Sequence, residues 1–416
     1  MKRINCLLLS CILLLCLTAC KSSQIQSTDL TGTIDSDSVQ KRSSDDQFIA
    51  SQMSFAVKLF QSSVQKDANK NVLISPLSVV LALAMTANGA DGKTKTEMES
   101  VLAKDVSIEE LNEYLHTYID SLPSNKDSKL QLANSIWYRD SEGLTINDDF
   151  LQKNADYYDA QIYTSEFNEQ TLKDINTWVN ENTDGMIEQI LNQIDPAAVM
   201  YLINALCFDA EWETPYESHQ VRDNTFTSID GEKQQIAMMY GDESFYLSDA
   251  KATGFIKDYK DAAYRFAALL PNEDVSITDY ISSLTYDGLL QTLQNAEETA
   301  VETGLPKFEG KYEITLNDIL KTMGMPSAFD SEKADFSKMG TSDVGNLYID
   351  FVLHKTFISV DELGTEAGAA TVVAMGSESA AIIEKQVILN RPFVYMILDG
   401  ETNLPIFIGT VINLAD

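Results

Sequence analysis

Histidine and cysteine are scarce in this chain, and their scarcity removes most routes to catalysis. Its 416 residues hold three histidines, His116, His219 and His354, and five cysteines. No H-E-x-x-H pair occurs, and no cysteine–histidine set has metal spacing. A G-x-S-x-G elbow, a phosphate loop and a G-x-G-x-x-G turn are missing too. No metal and no cofactor is therefore implied, and an enzyme is disfavoured. His116 falls on a polar helical stretch and His219 in a charged loop, and both read as solvated. His354 lies in an apolar strand, where a lone histidine reads as a core residue satisfied by hydrogen bonds.

Positive charge is also short. Thirty Lys and Arg stand against 63 Asp and Glu, a net charge of -33. Nucleic acid is excluded as a partner, because binding phosphate needs cations. The acidity reads as solubility and repulsion from anionic surfaces, with steering of cationic partners as the narrower reading. Cys6, Cys11 and Cys16 fall in the first nineteen residues and Cys20 directly follows them. Only Cys207 is left beyond these, so no intrachain disulfide is expected. It sits in an apolar run and reads as a buried, inert thiol, a reactive thiol being the lesser reading.

Residues 1–19 read as an address rather than structure. Lys2 and Arg3 precede the apolar run Cys6 to Leu17, and Leu17-Thr18-Ala19-Cys20 closes it. This is the pattern of a secretory signal, and the run is too short for a spanning helix. Its ending resembles a bacterial lipobox. That resemblance implies cleavage before Cys20, diacylglycerol on its sulfur, and an exported protein outside the cell or on its surface. The membrane would be met only through that anchor. An ordinary signal with a chance cysteine is the alternative. Residues 20–46 carry Ser, Thr, Gln and Asp with few large apolar side chains, the composition of a flexible tether. Residues 47–416 show no second linker and read as one unit.

Within that unit, helices dominate early and strands late, which argues for an α+β fold. Ile49, Met53, Ala56 and Phe60 have helical spacing. Ser75-Pro76 caps and opens a second helix that is apolar from Val79 to Ala87 and stops at Asn88-Gly89. Thr94 with Glu97 predicts a capping box for a third. Further helices are expected near 107–121, 147–157, 168–182 and 314–323. Met200 to Phe208 reads as a strand buried on both faces, and Tyr348 to Val360 as another long strand. Asp230-Gly231 and Asp399-Gly400 mark hairpins, the second joining Phe393–Leu398 to Ile406–Ile412.

Asp361 to Ala374, DELGTEAGAATVVA, is the least ordinary segment. Loops of this length are rich in Ser, Asn, Asp and Pro, whereas this one is rich in Ala and Thr. It reads as a strand without a sheet. Side chains alternate across a strand, so Thr365, Ala367, Ala369, Thr371, Val373 and Met375 would share one face, all of them uncharged. Glu366 would take the other, and Gly364 would supply a pivot. A charge or a proline at Thr365 or Ala367 would stall entry into a sheet.

Several ordered blocks carry a resemblance that covers residues 47–416. They are Asn71-Val-Leu-Ile-Ser-Pro-Leu-Ser78, then Asn204 with Phe208 and Trp212, then Leu305-Pro306-Lys307-Phe308 followed by Leu316 to Gly324. His354-Lys355 leads into Asp361–Ala367, and Asn390-Arg391-Pro392-Phe393 and Phe407-Ile408-Gly409 close the chain. In these the chain resembles the serpins. The resemblance implies an α+β fold with three β-sheets, about nine helices and an exposed reactive-centre loop. It implies a suicide-type inhibitor, expected as a monomer, whose partner is a serine protease, or less commonly a cysteine protease. The protease attacks the loop, an acyl-enzyme forms, and the cut loop enters the main sheet before deacylation. By the same resemblance the hinge runs through Gly364, Thr365, Glu366, Ala367, Gly368, Ala369, Ala370 and Thr371. Glu362 and Lys307 match an ion pair at the top of the main sheet. Ser75, Ser78, Asn204 and His354 match a polar cluster beneath the strands that part.

Counting Glu362 as the seventeenth residue before the cut puts the reactive bond at Glu378–Ser379. The stretch down to Pro392 is longer than is usual in the family, which leaves Met375, Ala380 and Ala381 as alternative bait. Neither Arg nor Lys lies between Thr365 and Glu384. An elastase-like or subtilisin-like target is expected over one with a basic preference. A non-inhibitory surface-binding lipoprotein of the same fold is the other reading. Gly368, where Ala is commoner, and the bulky Leu363 are its only support.

Overall fold

A computed structural model describes residues 25–34, 37–343, 345–365 and 385–415. Nine α-helices and three sheets are present among them. The helices follow from caps and apolar faces. Asp45 caps Asp46–Lys66 by accepting from the Phe48 N–H, and that helix buries Phe48, Met53, Phe55, Leu59 and Phe60. Ser75 caps Pro76–Ala87 by accepting from the Ser78 N–H, with proline in the first turn and Asn88 at its end. Nearly every side chain of this helix is buried, because it lies between the two large sheets, against Met200–Glu211 on one side and Pro405–Val411 on the other.

The third helix departs from expectation. It spans Gly92–Leu102 and its N-cap position is Asp91. Thr94 lies inside it, where its Oγ1 accepts from the Asp335 N–H at 2.9 Å. Glu97 accepts from the Ser327 N–H at 2.8 Å. Both side chains of the supposed capping box are thus drawn to a loop distant in sequence. Capping boxes form instead on other helices, between Ser107 and Glu110 on Ile108–Ser121 and between Asn168 and Thr171 on Glu169–Asn182.

The main sheet has seven strands in the order Thr28–Asp29, Gln161–Ser165, Ser128–Arg139, Met200–Glu211, Gly364–Thr365, Leu353–Val360, Phe308–Thr315. The second has nine, and its strands Phe393–Asp399 and Pro405–Val411 are buried along their whole length. Aromatic rings join the sheets. Phe208 meets Tyr259 and Tyr264 edge-on, with centroids 5.2 and 5.1 Å apart, and Trp212 stacks on Tyr259 at 4.4 Å. The strand expected over Tyr348 to Val360 begins only at Leu353. Before it, backbone groups turn to other partners, Ile349 N–H to the Ala328 carbonyl and Val352 N–H to Asn317 Oδ1.

The N-terminal segment differs from the free tether its composition suggests. Thr28–Asp29 pairs with Thr164 and Tyr163 as an edge strand. Asp174 Oδ2, almost wholly buried, accepts from Gln26 N–H, Ser27 N–H and Ser27 Oγ at 3.1, 2.7 and 2.6 Å. Lys41 pairs with Asp120 at 2.8 Å, and Arg42 with both Glu110 and Glu113 at 3.1 Å. Apolar burial is small here, but polar side chains and an open sheet edge hold a segment that composition alone leaves loose. Cys20 lies outside the described residues.

Candidate functional site

The long strands Met200–Glu211 and Leu353–Val360 flank one another in the main sheet, and no ladder bond joins them directly among the described residues. Only Gly364–Thr365 lies between, pairing with Glu211 and Ala210 on one side and with Val360 on the other. Both long strands are antiparallel to this short one. Below it a cavity of about 790 Å³ is lined by Leu202, Asn204, Leu206, Ser78, Leu353 and His354.

The turn that delivers the short strand is built by Asp361. Its Oδ1 accepts from Leu363 N–H at 2.8 Å and Gly364 N–H at 3.3 Å, and its own N–H donates to the Gly364 carbonyl at 3.0 Å. This is the side-chain turn that aspartate favours. A Cβ on Gly364 would stand 2.0 Å from the Ala210 carbonyl oxygen. Glycine is therefore required here by the close approach of a neighbouring backbone, not by a left-handed conformation. Thr365 follows, 1% exposed, with its Oγ1 2.5 Å from the Tyr259 hydroxyl. It is the one position of the expected inward-facing row, Thr365 to Met375, that lies within the described residues. Glu366, Ala367, Gly368, Ala369, Ala370 and Thr371 lie outside the described residues, as do Met375, Glu378, Ser379, Ala380 and Ala381.

A second strip holds the turn from the other side. Trp212 N–H donates to the Leu363 carbonyl at 2.8 Å, Trp212 Nε1 to the Asp361 carbonyl at 2.9 Å, and Tyr216 N–H to the Glu362 carbonyl at 2.9 Å. Lys307 Nζ pairs with Glu362 Oε2 at 2.7 Å, so these two expected partners do meet. Burial pushes the Glu362 carboxyl up, but the hydrogen bond and charge of Lys307 outweigh it and hold it below the usual carboxylate range.

The polar cluster is assembled in part. Ser75 N–H donates to His354 Nε2 at 3.0 Å, and Ser75 Oγ accepts from Ser78 N–H at 3.2 Å. Burial pulls the His354 imidazole down to about 4, so it is neutral and its Nδ1 carries the hydrogen. Asn204 lines the same cavity but bonds elsewhere, donating to Asn134 Oδ1 at 2.8 Å. Asn134 in turn donates to the Tyr158 carbonyl. The Asn204 Oδ1 is buried with no hydrogen-bond partner among the described residues. Asn134, Tyr216 and Tyr259 carry no sequence signal, since Asn134 sits in an ordinary strand and the two tyrosines in charged stretches that read as surface.

The other polar candidates lie elsewhere. Cys207 is buried and its thiol donates to Gln131 Oε1 at 3.0 Å. His116 is not solvated as its polar helix suggests. Its Nδ1 stands 3.3 Å from the Tyr157 carbonyl and its Nε2 3.7 Å from Asp120, because that helix face packs on Asp148–Tyr158. His219 is exposed beside Glu217. Among the described residues no three His, Cys, Asp or Glu side chains converge as a metal site.

Nine helices and three sheets among the described residues, with Lys307 and Glu362 paired at the main sheet, are the α+β architecture that the serpin resemblance implied. The family model described as Serpin (serine protease inhibitor) matches residues 50–414. The chain belongs to the serpin family. Serpins are inhibitors of serine proteases rather than enzymes. Serpin B6 of Pongo abelii is 30% identical over 369 residues, which cover 85% of this chain and 96% of that protein. The thermophilic serpin tengpin in its native state is 49% identical, with a TM-score of 0.89, covering 94% of this chain and all of that one. Tengpin in its latent state is 47% identical, with a TM-score of 0.81, covering 90% of this serpin and all of that chain.

Proposed function

We propose that this serpin traps its protease covalently, as a suicide-type inhibitor of elastase-like or subtilisin-like serine proteases. The observation that carries the reading is Thr365. It already occupies a strand position between Met200–Glu211 and Leu353–Val360, with its side chain buried. The residues that follow it, Glu366 to Met375, have the small, alternating composition that would continue the same strand downward.

The protease serine oxygen attacks the carbonyl carbon of Glu378, an ester forms, and the Glu378–Ser379 amide breaks to leave a new amino terminus on Ser379. With Met375, Ala380 or Ala381 as the bait residue the chemistry is the same, and the absence of basic residues in this segment favours a pocket that takes small or unbranched side chains. Entry of about a dozen strand hydrogen bonds at about 1 kcal/mol each supplies on the order of 10 kcal/mol. Loss of one oxyanion-hole donor costs a protease only about 3 kcal/mol. Insertion thus releases enough free energy to distort an acyl-enzyme. The signal-like residues 1–19 and Cys20 support export and a lipid anchor, with the inhibitor acting as a monomer at the cell surface or beyond it.

Incubation with elastase and, separately, with subtilisin tests the reading. An SDS-resistant complex of inhibitor and protease is expected, and its mass spectrum locates the bond. Cleavage of the loop with full protease activity retained overturns it.

A further inference from the structure

A lysine is buried behind the hinge. Lys257, on Ala252–Asp258, is 3% exposed in an otherwise apolar stretch. Its Nζ pairs with Glu243 Oε1 at 2.8 Å, and both side chains are almost sealed from water. The same ammonium donates to the Thr214 carbonyl at 3.1 Å. It also stands 4.4 Å from the centre of the Tyr216 ring and 5.4 Å from that of Trp212. Burial pushes the Glu243 carboxyl up and Lys257 opposes that push.

Burying such a pair confers little stability by itself, because desolvation offsets the attraction. Its position is more informative. Besides Glu243, the groups that the Lys257 ammonium meets, Trp212, Thr214 and Tyr216, all lie in the strip 212–216, which holds the turn 361–363 through the Trp212 and Tyr216 N–H groups. A desolvated cation fixes aromatic faces more firmly than an apolar side chain of the same length. The bond to the Thr214 carbonyl is one that methionine cannot make.

We infer that Lys257, clamped by Glu243, is a positioning residue for the hinge, fixing Tyr216 and Trp212 so that residues 361–365 enter the sheet in one register. Its consequence for inhibition rests on the insertion reading above. The clamp itself rests on geometry and is tested without a protease.

Lys257→Met alone leaves Glu243 buried without its partner and endangers folding, so the deciding variant is Lys257→Met with Glu243→Met. Hydrogen exchange is followed at the Trp212 and Tyr216 amides, with the amides of Phe393–Asp399 as internal reference. Exchange about tenfold faster at the two hinge-holding amides, with the reference unchanged, is expected. Unchanged exchange at both, or equal acceleration everywhere, overturns the clamp. The same proteins are then mixed with elastase, and the number of inhibitors cleaved per protease trapped is expected to shift in the variant. Local acceleration with trapping by neither protein sinks the insertion reading and leaves the clamp standing.

Discussion

The Tyr259 hydroxyl and Thr365 Oγ1 lie 2.5 Å apart, and both residues are buried. Tyr259 also stacks on Trp212, whose indole N–H holds the Asp361 carbonyl. One buried phenol therefore links the incoming strand to the turn that delivers it. Burial pushes that phenol far up, so it stays neutral and serves as a hydrogen-bonding group at any working pH.

Thr365→Val removes the partner of a buried hydroxyl and is expected to lower stability by about 1–3 kcal/mol. Thr365→Arg asks the same place to take a charge, at a cost of several kcal/mol. The arginine variant should still be cleaved by elastase but should form no SDS-resistant complex. A complex yield equal to the parent's would mean that burial of this position is not needed for trapping.

Lys307 and Glu362 are near enough for a strong bond at 2.7 Å, yet their side chains are 37% and 29% exposed. Water and salt screen such a pair. A double-mutant cycle on Lys307→Ala and Glu362→Ala should give a coupling of about 0.2–1 kcal/mol that shrinks in high salt. The folded Glu362 carboxyl titrates below its unfolded range. Its contribution is therefore present above about pH 4.3 and is lost as pH falls through the lower folded value. A coupling of several kcal/mol would show that the pair is far better shielded than its exposure indicates.

Much of this site was legible in the sequence, and the limits have physical causes. Ser75, Pro76 and the apolar run after them fixed the central helix because capping and periodicity are local. Glycine at 364 was read correctly as special but for a different reason, since a sequence does not show that the Ala210 carbonyl passes within reach of a Cβ. The resemblance groups Asn204 with His354, but the strand register brings it opposite Asn134. Lys257 has the sequence context of any strand lysine, because Glu243 and the two rings reach it only through the fold. The N-terminal segment was read by its composition, which takes no account of a sheet edge or of a buried carboxylate such as Asp174.

His354 gives the molecule a pH dependence of known sign. Unfolded, its imidazole takes a proton near pH 6.5, whereas the folded group resists until about 4 because burial excludes the charge. Between those values the unfolded chain holds the extra proton, so stability falls as pH falls. The loss attributable to this group reaches at most about 3 kcal/mol by pH 4 and stops there. Above pH 6.5 it contributes no slope. His354→Gln keeps an acceptor for the Ser75 N–H and should flatten the fall between pH 6.5 and 4 in denaturant midpoints. Equal slopes in parent and variant would remove His354 as the cause.

Asp174 is the anchor of the N-terminal segment. One carboxylate oxygen accepts from Gln26 N–H, Ser27 N–H and Ser27 Oγ, while the other accepts from Gln170 Nε2 at 2.8 Å. Hydrogen bonds to an ionised acceptor are about twice as strong as neutral ones. The strand they position, Thr28–Asp29, is only two residues long and pairs on one side only. Beyond it the register is continued by Leu30 N–H donating to the Ile162 carbonyl at 2.8 Å and Ile162 N–H donating to Thr31 Oγ1 at 3.0 Å, a short edge that gains from the Asp174 bonds. Asp174→Ala should therefore free this segment locally, while Asp174→Asn keeps part of the bonding and should fall between. Limited proteolysis within residues 25–42 is expected to speed up about tenfold in the alanine variant, with the global unfolding midpoint changed much less. Cleavage at the parent's rate would show that the ion pairs of Lys41 and Arg42 hold the segment without help from Asp174.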